Sequence, residues 1–278
     1  MDERLRSGMI AAGTAVAEFE AGVCQYVQAA GGVATPSGAN AIRVALELLG
    51  LGRGDDVILP TYVCESVMQS IQRVGATPVF ADVNERSVLD VRTVGAAITP
   101  ATKAIIAVHA FGHLCDIPNL RSFGVPVIED ACQAFGLETP WGMAGAVGDL
   151  GVYSFHATKC LTTGEGGMLV AGGISLALLV RARLPEPECR LSDLQASLGL
   201  AQLDRYEEFL ARRLALRLRL DDAFADRPQL VAHLPPAAAF LFRYTIRSEA
   251  GFEAAQAFFG ARGVTARRGV DSLLHRQA

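Results

Sequence analysis

Short apolar segments alternate with stretches of helical periodicity between about residues 33 and 172. Several of these segments are continuously apolar, as strands that are covered on both faces usually are. This alternation is typical of an α/β fold with a mostly parallel sheet. The segments predicted as strands are 55–60, 77–83, 103–110, 125–131, 151–155 and 167–172. Ligands of such sheets bind at the carboxyl ends of the strands, so we expect the functional site at that edge.

Helices are predicted between the strands, and the pattern changes after residue 190. The early helices are predicted at 39–50, 61–74 and 117–123. Apolar residues at helical spacing over 191–224 predict one long helix, kinked at Gly199. We therefore expect a large α/β domain over 1–190, which includes the N-terminal segment, and a small, reduced α+β domain over 191–278.

The tail of the chain mixes turn, strand and helix signals. Residues 227–240 predict a linker or turn, and the sequence FLFRYTIRS over 240–248 predicts a strand. Residues 251–264 predict a helix that Gly263 caps.

Composition excludes several classes of function. The chain has 278 residues, 51% of them hydrophobic, and a net charge of −4 without a basic block, so we expect no nucleic-acid partner. It has no apolar run long enough for a membrane span and no apolar signal-peptide core, so we expect a cytoplasmic protein. The six cysteines form no CxxC pair, and His109, His113 and His156 are spaced too irregularly for a metal site.

Lysine is rare in this chain, since only Lys103 and Lys159 are present and the other basic residues are arginines. An arginine keeps its proton at any working pH, whereas a lysine can lose its proton and attack a carbonyl carbon. Lys159 lies between an apolar strand and a glycine-rich run. This position suggests covalent catalysis by Lys159. The neighbouring Cys160 is better explained as a small buried residue than as a nucleophile.

Two carboxylates end another predicted strand, in the sequence VIEDA. Glu129 and Asp130 need a cationic partner there if they are buried. One interpretation is that Asp130 caps a helix. A second is that Asp130 and Lys159 reach one pocket from neighbouring strand ends. That pair is what pyridoxal 5′-phosphate (PLP) requires, because lysine forms a Schiff base with the aldehyde and a carboxylate keeps the pyridine nitrogen protonated.

A phosphate group on such a cofactor needs hydrogen-bond donors. The sequence TPSGANAIRVAL over 35–46 predicts a small-residue turn that opens a helix, whose N–H groups and dipole attract anions. Ser37 and Ser154 add hydroxyl groups. The alternatives are an ordinary N-cap for Ser37 and a buried strand serine for Ser154.

Taken together, these segments resemble the DegT/DnrJ/StrS family of PLP-dependent sugar aminotransferases, which have the aspartate aminotransferase fold (type I). The matching segments occur in the family's order over roughly residues 8–226. They are SGANAIRVALELLGLGRGDDVILPTY, GATPVFADV, IEDACQAFG, GDLGVYSFHATKCLTTGEGGMLV and RLSDLQASLGLAQLDRYEEF. The block around Lys159 is the most specific of them.

The resemblance implies a role for each matching residue. Lys159 would be the Schiff-base lysine and proton shuttle, Asp130 would pair with the pyridine nitrogen, and Gln133 would contact the cofactor ring or its phenolic oxygen. Arg190 would reach the phosphate in the partner subunit, which implies a homodimer with shared active sites. The resemblance gives Lys159 and Asp130 as the catalytic pair. The cofactor-binding set is Ser37, Gly38, Ala39, Asn40, Tyr62, Cys64, Asp130, Gln133, Ser154, Lys159 and Arg190.

Several positions depart from the family pattern. Ala39 stands where the family usually has threonine, and Glu188 where it usually has asparagine. An aromatic residue is expected to stack on the cofactor near Cys64, and this chain offers Tyr62 two residues earlier. The segment between Gly173 and the partner-reaching arginine is short, and the sequence stops soon after SLLHR. We therefore expect the cofactor machinery to be retained and the substrate site to be rebuilt or reduced.

The function implied by the resemblance is transamination. Lysine at position 159 favours it, since related dehydratases of the family carry histidine there. The amino donor would be glutamate or glutamine. The acceptor would be a keto-sugar, possibly nucleotide-linked, or a keto-cyclitol used in glycan or secondary-metabolite biosynthesis. Two alternatives are a PLP enzyme that performs another reaction on an amino-acid-like substrate, and a non-catalytic relative that acts as a partner subunit or regulator.

Overall fold

A seven-stranded sheet forms the centre of the protein in the computed structural model, which describes residues 6, 8, 10, 11, 13–182, 190–226, 230–233 and 242–270. The strands of this sheet are β1 (Gly31–Thr35), β2 (Asp56–Pro60), β3 (Thr77–Ala81), β4 (Thr102–Val108), β5 (Val127–Asp130), β8 (Leu150–Ser154) and β9 (Gly167–Ala171). A small hairpin of β6 (Glu138–Thr139) and β7 (Gly142–Met143) lies between β5 and β8 in the sequence.

The strand order of the sheet is β1-β9-β8-β5-β4-β2-β3. Strands β8, β5, β4, β2 and β3 are parallel neighbours, whereas β9 is antiparallel to both β1 and β8. The predicted mostly parallel sheet is thus confirmed, and all six predicted strands are present. Strand β1, which sequence periodicity did not predict, completes the sheet at one edge.

Nine helices of four or more residues are present in the described part of the chain. They are α1 (Ala15–Tyr26), α2 (Gly38–Leu48), α3 (Glu65–Arg73), α4 (Val91–Ala97), α5 (Ile117–Arg121), α6 (Ile174–Ala182), α7 (Asp193–Leu203), α8 (Tyr206–Phe224) and α9 (Phe252–Gly260). The three predicted early helices correspond to α2, α3 and α5. Helices α1, α4 and α6 were not predicted.

Both faces of the sheet are covered because successive strand residues point to opposite sides. On one side α2, α3 and α6 pack through residues such as Ile42, Ile71 and Val180. The other side carries α1 and α7 near β1, β9 and β8, and α4 and α5 near β4 and β2. The continuous apolar strands of the sequence are explained by this two-sided burial.

The helix expected over 191–224 is two helices, and the predicted kink at Gly199 is wrong. Helix α7 ends at Leu203 and α8 begins at Tyr206. Gly199 lies inside α7, where a Cβ would come within 2.6 Å of the Phe19 ring. The glycine therefore allows α7 to pack closely on α1 and does not bend the helix.

The tail forms a two-stranded sheet and one helix. Strand β10 (Leu230–Ala232) pairs with β11 (Ile246–Ser248), so part of the predicted linker is a strand. The predicted strand over 240–248 is correct only at its end: residues 240 and 241 lie outside the described residues, and residues 242–245 are not in a strand. The predicted last helix is α9, and Gly263 follows it with a φ of +74°. The proposed domain boundary near residue 190 stays a prediction.

No helix in the described ranges has the length and apolar character needed to cross a bilayer.

Two histidines connect the tail to the sheet. The rings of His113 and His233 lie with their centroids 4.7 Å apart, and His113 is only 4% exposed. Nε2 of His113 has no hydrogen-bond partner among the described residues, whereas Nε2 of His233 is 3.2 Å from the Ser87 hydroxyl. Burial, and then the charge of His233, lower the pKa of His113 to about 4. Burial and the nearby Arg247 also lower the pKa of His233.

This pair predicts a loss of stability in mild acid. As the pH is lowered from about 6.5 to about 4, the unfolded chain takes up protons at these histidines and the folded protein does not. The free energy of unfolding therefore decreases as the pH decreases. Urea titrations should show that His113→Gln removes about 2 kcal/mol of this dependence while leaving the profile above pH 7 unchanged. A variant with the same pH profile as the wild type between pH 6.5 and pH 4 would contradict the assignment.

Candidate active site

Lys159 lies in the turn that follows β8, at the carboxyl edge of the sheet. Its backbone N–H donates to the carbonyl of His156 (2.8 Å), and its side chain is half-buried. The Nζ atom lies 4.9 Å from the centre of the Phe242 ring. Lys159 lines a cavity of about 10 Å³ together with Gln133, Ser154 and Phe242. The structure thus brings three of the predicted site residues together.

Asp130 is the last residue of β5, the parallel neighbour of β8, and is 6% exposed. Its Oδ1 accepts the N–H of Cys132 (3.0 Å), so it caps a turn and not a helix. Burial and the charge of Asp130 raise the pKa of the Cys132 thiol, while Lys159 lowers it. Cys132 bonds Asp130 and lines the small cavity with Lys159, so Asp130 and Lys159 lie at the same edge, on either side of this residue.

Glu129 points to the other face of β5 and is fully buried. Its carboxylate accepts N–H groups from Gly145 (2.9 Å), Val147 (2.7 Å) and Gly148, and lies 2.8 Å from His109 Nε2. Burial alone would raise the pKa of Glu129, but the hydrogen bonds from His109, Gly148 and Gly145 outweigh burial and lower it. The sequence predicted a cationic partner for the buried Glu129 carboxylate. In the structure, backbone N–H groups provide most of its hydrogen-bond partners.

His109 takes its orientation from a backbone group. The N–H of Cys115 donates to His109 Nδ1 (3.1 Å), which leaves Nε2 to donate to Glu129. Since His109 follows β4 and Glu129 ends β5, the pair joins the ends of two neighbouring strands. It serves the scaffold behind the cavity and not the cavity itself.

The N-terminus of α2 faces the same edge. Ser37 is the N-cap, and its Oγ accepts the backbone N–H of Asn40 (3.2 Å). A Cβ on Gly38 would lie 3.0 Å from Cys132 Sγ and 3.1 Å from Ser154 Cβ, so the start of the helix lies close against both residues. The carbonyl of Ala39 accepts the Ser70 hydroxyl (3.0 Å), which fixes the first turn from outside.

The Gln133 side chain bonds a residue that has an unusual backbone conformation. Its Oε1 accepts the N–H of Phe111 (2.8 Å), and Phe111 has a φ of +56°, in the left-handed region that non-glycine residues rarely adopt. Residues in such conformations concentrate at functional sites. Sequence patterns do not indicate Phe111, since its partner Gln133 is distant in the chain.

Of the predicted residues that do not line the small cavity, three also lie outside β5 and the start of α2. Tyr62 packs against Phe111, with ring centroids 6.1 Å apart, and lines a larger cavity described below. Cys64 is exposed at the N-cap of α3. Arg190 is exposed just before α7. Their assignment to the cofactor stays a prediction.

The larger cavity has a volume of about 770 Å³ and lies between the sheet edge and the tail. Its walls combine aromatic rings with arginines. The aromatic residues are Tyr62, Phe111, Phe224, Tyr244 and Phe259, and the arginines are Arg243, Arg247, Arg267 and Arg268. A space with this lining suits a ligand that has both a flat or apolar part and negative charge.

The residues around Lys159 fit PLP in kind. An amine, a buried carboxylate on the adjacent strand, and a helix N-terminus with a serine N-cap are the three groups that the cofactor's aldehyde, pyridine nitrogen and phosphate require. The close approach of Gly38 to Ser154 brings the last of these to the others. No group of three or more potential metal ligands occurs among the described residues.

Other candidate residues have structural roles here. His156 bonds the Thr158 backbone within its turn (3.2 Å) and lies 3.4 Å from the Glu165 carboxylate. Cys160 packs into the core, and burial raises the pKa of its thiol, as expected for a small buried residue. Phe242 lies next to Lys159. The sequence pattern does not indicate this contact, because it predicts a strand over the segment that contains Phe242.

Comparison with known proteins gives one consistent result. The family model described as the DegT/DnrJ/EryC1/StrS aminotransferase family matches residues 1–182 and 183–277. The chain is 35% identical over 258 residues to the spore coat polysaccharide biosynthesis protein SpsC of Bacillus subtilis, covering 82% of this chain and 66% of SpsC. It is 36% identical over 220 residues to GDP-perosamine synthase of Caulobacter vibrioides, covering 72% of this chain and 59% of that protein.

A solved structure shares the fold over nearly the whole chain. The PLP-form of Spr1654 from Streptococcus pneumoniae superposes with a TM-score of 0.87 and 26% identity, covering 96% of this chain and 80% of that one. The chain spans less than two thirds of the length of the two curated relatives, at 66% and 59%.

The loop that bonds Glu129 lies so close to β8 that we expect one position of this strand, Gly151, to tolerate no side chain. A Cβ at Gly151 would lie 1.7 Å from the carbonyl oxygen of Gly145, a backbone atom that the Glu129 hydrogen bond fixes. Gly151→Ala should therefore lower the free energy of unfolding in urea by at least about 2 kcal/mol. Gly173→Ala, with no atom within 4 Å of its Cβ, should change it by less than about 0.5 kcal/mol. Equal stability of the two variants would be inconsistent with this packing.

Proposed function

Because this chain belongs to the DegT/DnrJ/EryC1/StrS aminotransferase family, we propose that it is a PLP-dependent aminotransferase. Its amino donor is glutamate or glutamine, and its acceptor is a keto-sugar or a keto-cyclitol. The observation that carries the proposal is the position of Lys159. One of only two lysines lines a cavity with Gln133 and Ser154, next to a buried aspartate on the adjacent strand.

Each polar residue at this edge has a task in the proposed reaction. When bound, PLP supplies an aldehyde that holds the amino group and a ring that accepts electrons from the carbon bearing it. Asp130 keeps the proton on the ring nitrogen, and its burial strengthens that interaction. Ser37, Ser154 and the first N–H groups of α2 bind the phosphate.

Lys159 carries the proton transfer. Its Nζ would be the base that removes the proton from the carbon bearing the donor's amino group, and then the acid that returns a proton. The amino group would stay on the cofactor for the acceptor, and water would release the donor as a keto acid. An arginine in this place would stay protonated and could not act as the base.

The acceptor is proposed from the relatives and from the larger cavity. One relative is named for polysaccharide biosynthesis and another for the synthesis of a GDP-linked amino sugar. The four arginines and the aromatic rings of the cavity support an acceptor that carries phosphate groups, as a nucleotide-linked sugar does. We place the enzyme in the biosynthesis of a modified sugar for a glycan or a secondary metabolite.

The assembly and location are proposed on narrower grounds. Arg190 is exposed and does not line the cavity of its own chain, which suits a residue that reaches the phosphate in a partner subunit of a homodimer. The five described cysteines are all free, as is usual in a reducing compartment, so we propose that the protein works in the cytoplasm.

The two lysines provide a matched pair for testing the proposal. After incubation with PLP and reduction with borohydride, mass spectrometry should find the cofactor on the peptide that contains Lys159. Lys159→Ala should abolish this attachment and the conversion of glutamate to its keto acid. Lys103→Ala removes an exposed lysine and should preserve both. Attachment that persists in Lys159→Ala would refute the assignment.

The same experiment separates the two alternatives. A wild-type protein that takes up no PLP would favour a non-catalytic relative. A protein that binds PLP at Lys159 but forms no keto acid from any amino donor would favour another reaction on an amino-acid-like substrate.

A further inference from the structure

The side chain of Phe242 covers the amine of Lys159. Phe242 is 7% exposed, and Nζ of Lys159 lies over its ring at 4.9 Å from the centre. The ring is one wall of the cavity that Lys159, Gln133 and Ser154 share. That cavity measures about 10 Å³, which is room for about one water molecule.

Phe242 is held in this position from several sides. Nη1 of Arg213 in α8 donates to the Phe242 carbonyl oxygen (3.3 Å), and the Arg243 guanidinium lies 4.9 Å from the same ring. The ring also packs into the apolar cluster below β4 and β2. A cation over the face of an aromatic ring is attracted to it, more strongly when water is excluded. The ring therefore interacts with Lys159 and Arg243 and is fixed through its backbone by Arg213.

The cavity beside Nζ is too small for a pyridine ring while Phe242 stays in place. A cofactor with a six-membered ring and a phosphate group needs far more space than one water molecule. The other lining residues belong to the end of β8 or to the segments that follow β5 and β8, whereas Phe242 belongs to a tail segment outside any strand or helix. Because Phe242 lies outside the strands, its side chain can move without breaking a hydrogen bond of the sheet.

We propose that Phe242 is a gating and positioning residue for Lys159: its ring shields the free amine and swings away to admit the cofactor. The consequence for the cofactor rests on the function proposed above, whereas the shielding of the amine does not. The gate also connects the two cavities, because Phe242 lines the small one and the adjacent Arg243 lines the large one. Displacement of Phe242 would join the space around Lys159 to the larger cavity.

The shielding is testable without any cofactor because the chain has two lysines. Acetylation with N-acetoxysuccinimide, followed by peptide mass spectrometry, reports the rate at Lys159 relative to the exposed Lys103 in the same sample. Phe242→Ala should raise this ratio about three- to tenfold, since it removes the ring and its attraction for the ammonium group. Phe242→Tyr should keep the wild-type ratio.

Two further variants secure the interpretation. Phe242→Leu keeps apolar bulk and removes the π face, so it should give an intermediate ratio even if the alanine variant folds poorly. Phe258 is a half-exposed phenylalanine of the same tail, and the Arg262 guanidinium lies 3.8 Å from the centre of its ring. Phe258→Ala should leave the ratio unchanged. Unchanged ratios in both Phe242→Ala and Phe242→Leu, or an equal rise in Phe258→Ala, would overturn the proposal.

A second measurement follows the entry of the cofactor. The growth of the visible absorbance band after PLP is added should be faster in Phe242→Ala and Phe242→Leu than in the wild type. If the acetylation ratio rises in the variants but the protein never takes up PLP, the shielding of Lys159 by Phe242 would be supported and the proposed function would be refuted. If the Phe242 variants take up PLP at the wild-type rate and their acetylation ratio is unchanged, the gating role of Phe242 would be refuted and the proposed function would be unaffected.

Discussion

The buried carboxylate of Glu129 is the interaction on which the site geometry depends. Its hydrogen bonds to His109 and to the N–H groups of Gly145, Val147 and Gly148 connect the ends of β4 and β5 to the loop before β8. Successive strand residues point to opposite faces, so fixing Glu129 on one side also fixes the direction of Asp130 on the other. Asp130, which we propose to pair with the cofactor, is thus oriented by the hydrogen bonds that Glu129 makes on the opposite face.

The same constraint explains the glycines nearby. Gly151 passes so close to the carbonyl of Gly145 that no side chain fits between the strand and the loop. Gly38 brings the start of α2 against Ser154 and Cys132. Close approaches at Gly151 and Gly38 therefore fix the loop before β8 and the start of α2 relative to the sheet.

The sequence predicted those parts of the structure that local patterns determine. Continuous apolar runs indicated β2, β4 and β5, and the isolated lysine together with the SGAN turn indicated the edge where Lys159 and Ser37 lie. Patterns failed where distant contacts decide. Gly199 looked like a kink and is instead the point where α7 fits against Phe19, and the apolar segment around Phe242 looked like a strand because its partner, Lys159, lies far away in the chain. The partners of Glu129 were also beyond sequence reasoning, since backbone N–H groups leave no trace in residue identity.

The antiparallel strand β9 has a consequence for the order of folding. Strand β1 pairs only with β9 within the described sheet, with Gly31 opposite Ala171, and β9 in turn separates β1 from β8. During synthesis the hydrogen-bonding groups of β1 that pair with β9 stay unmatched until β9 has left the ribosome. Closure of the sheet is therefore a late event that depends on contacts of high sequence separation, which are slow to form. The emerging N-terminal region is exposed to aggregation during that interval, and a chaperone that binds apolar segments would act on it then.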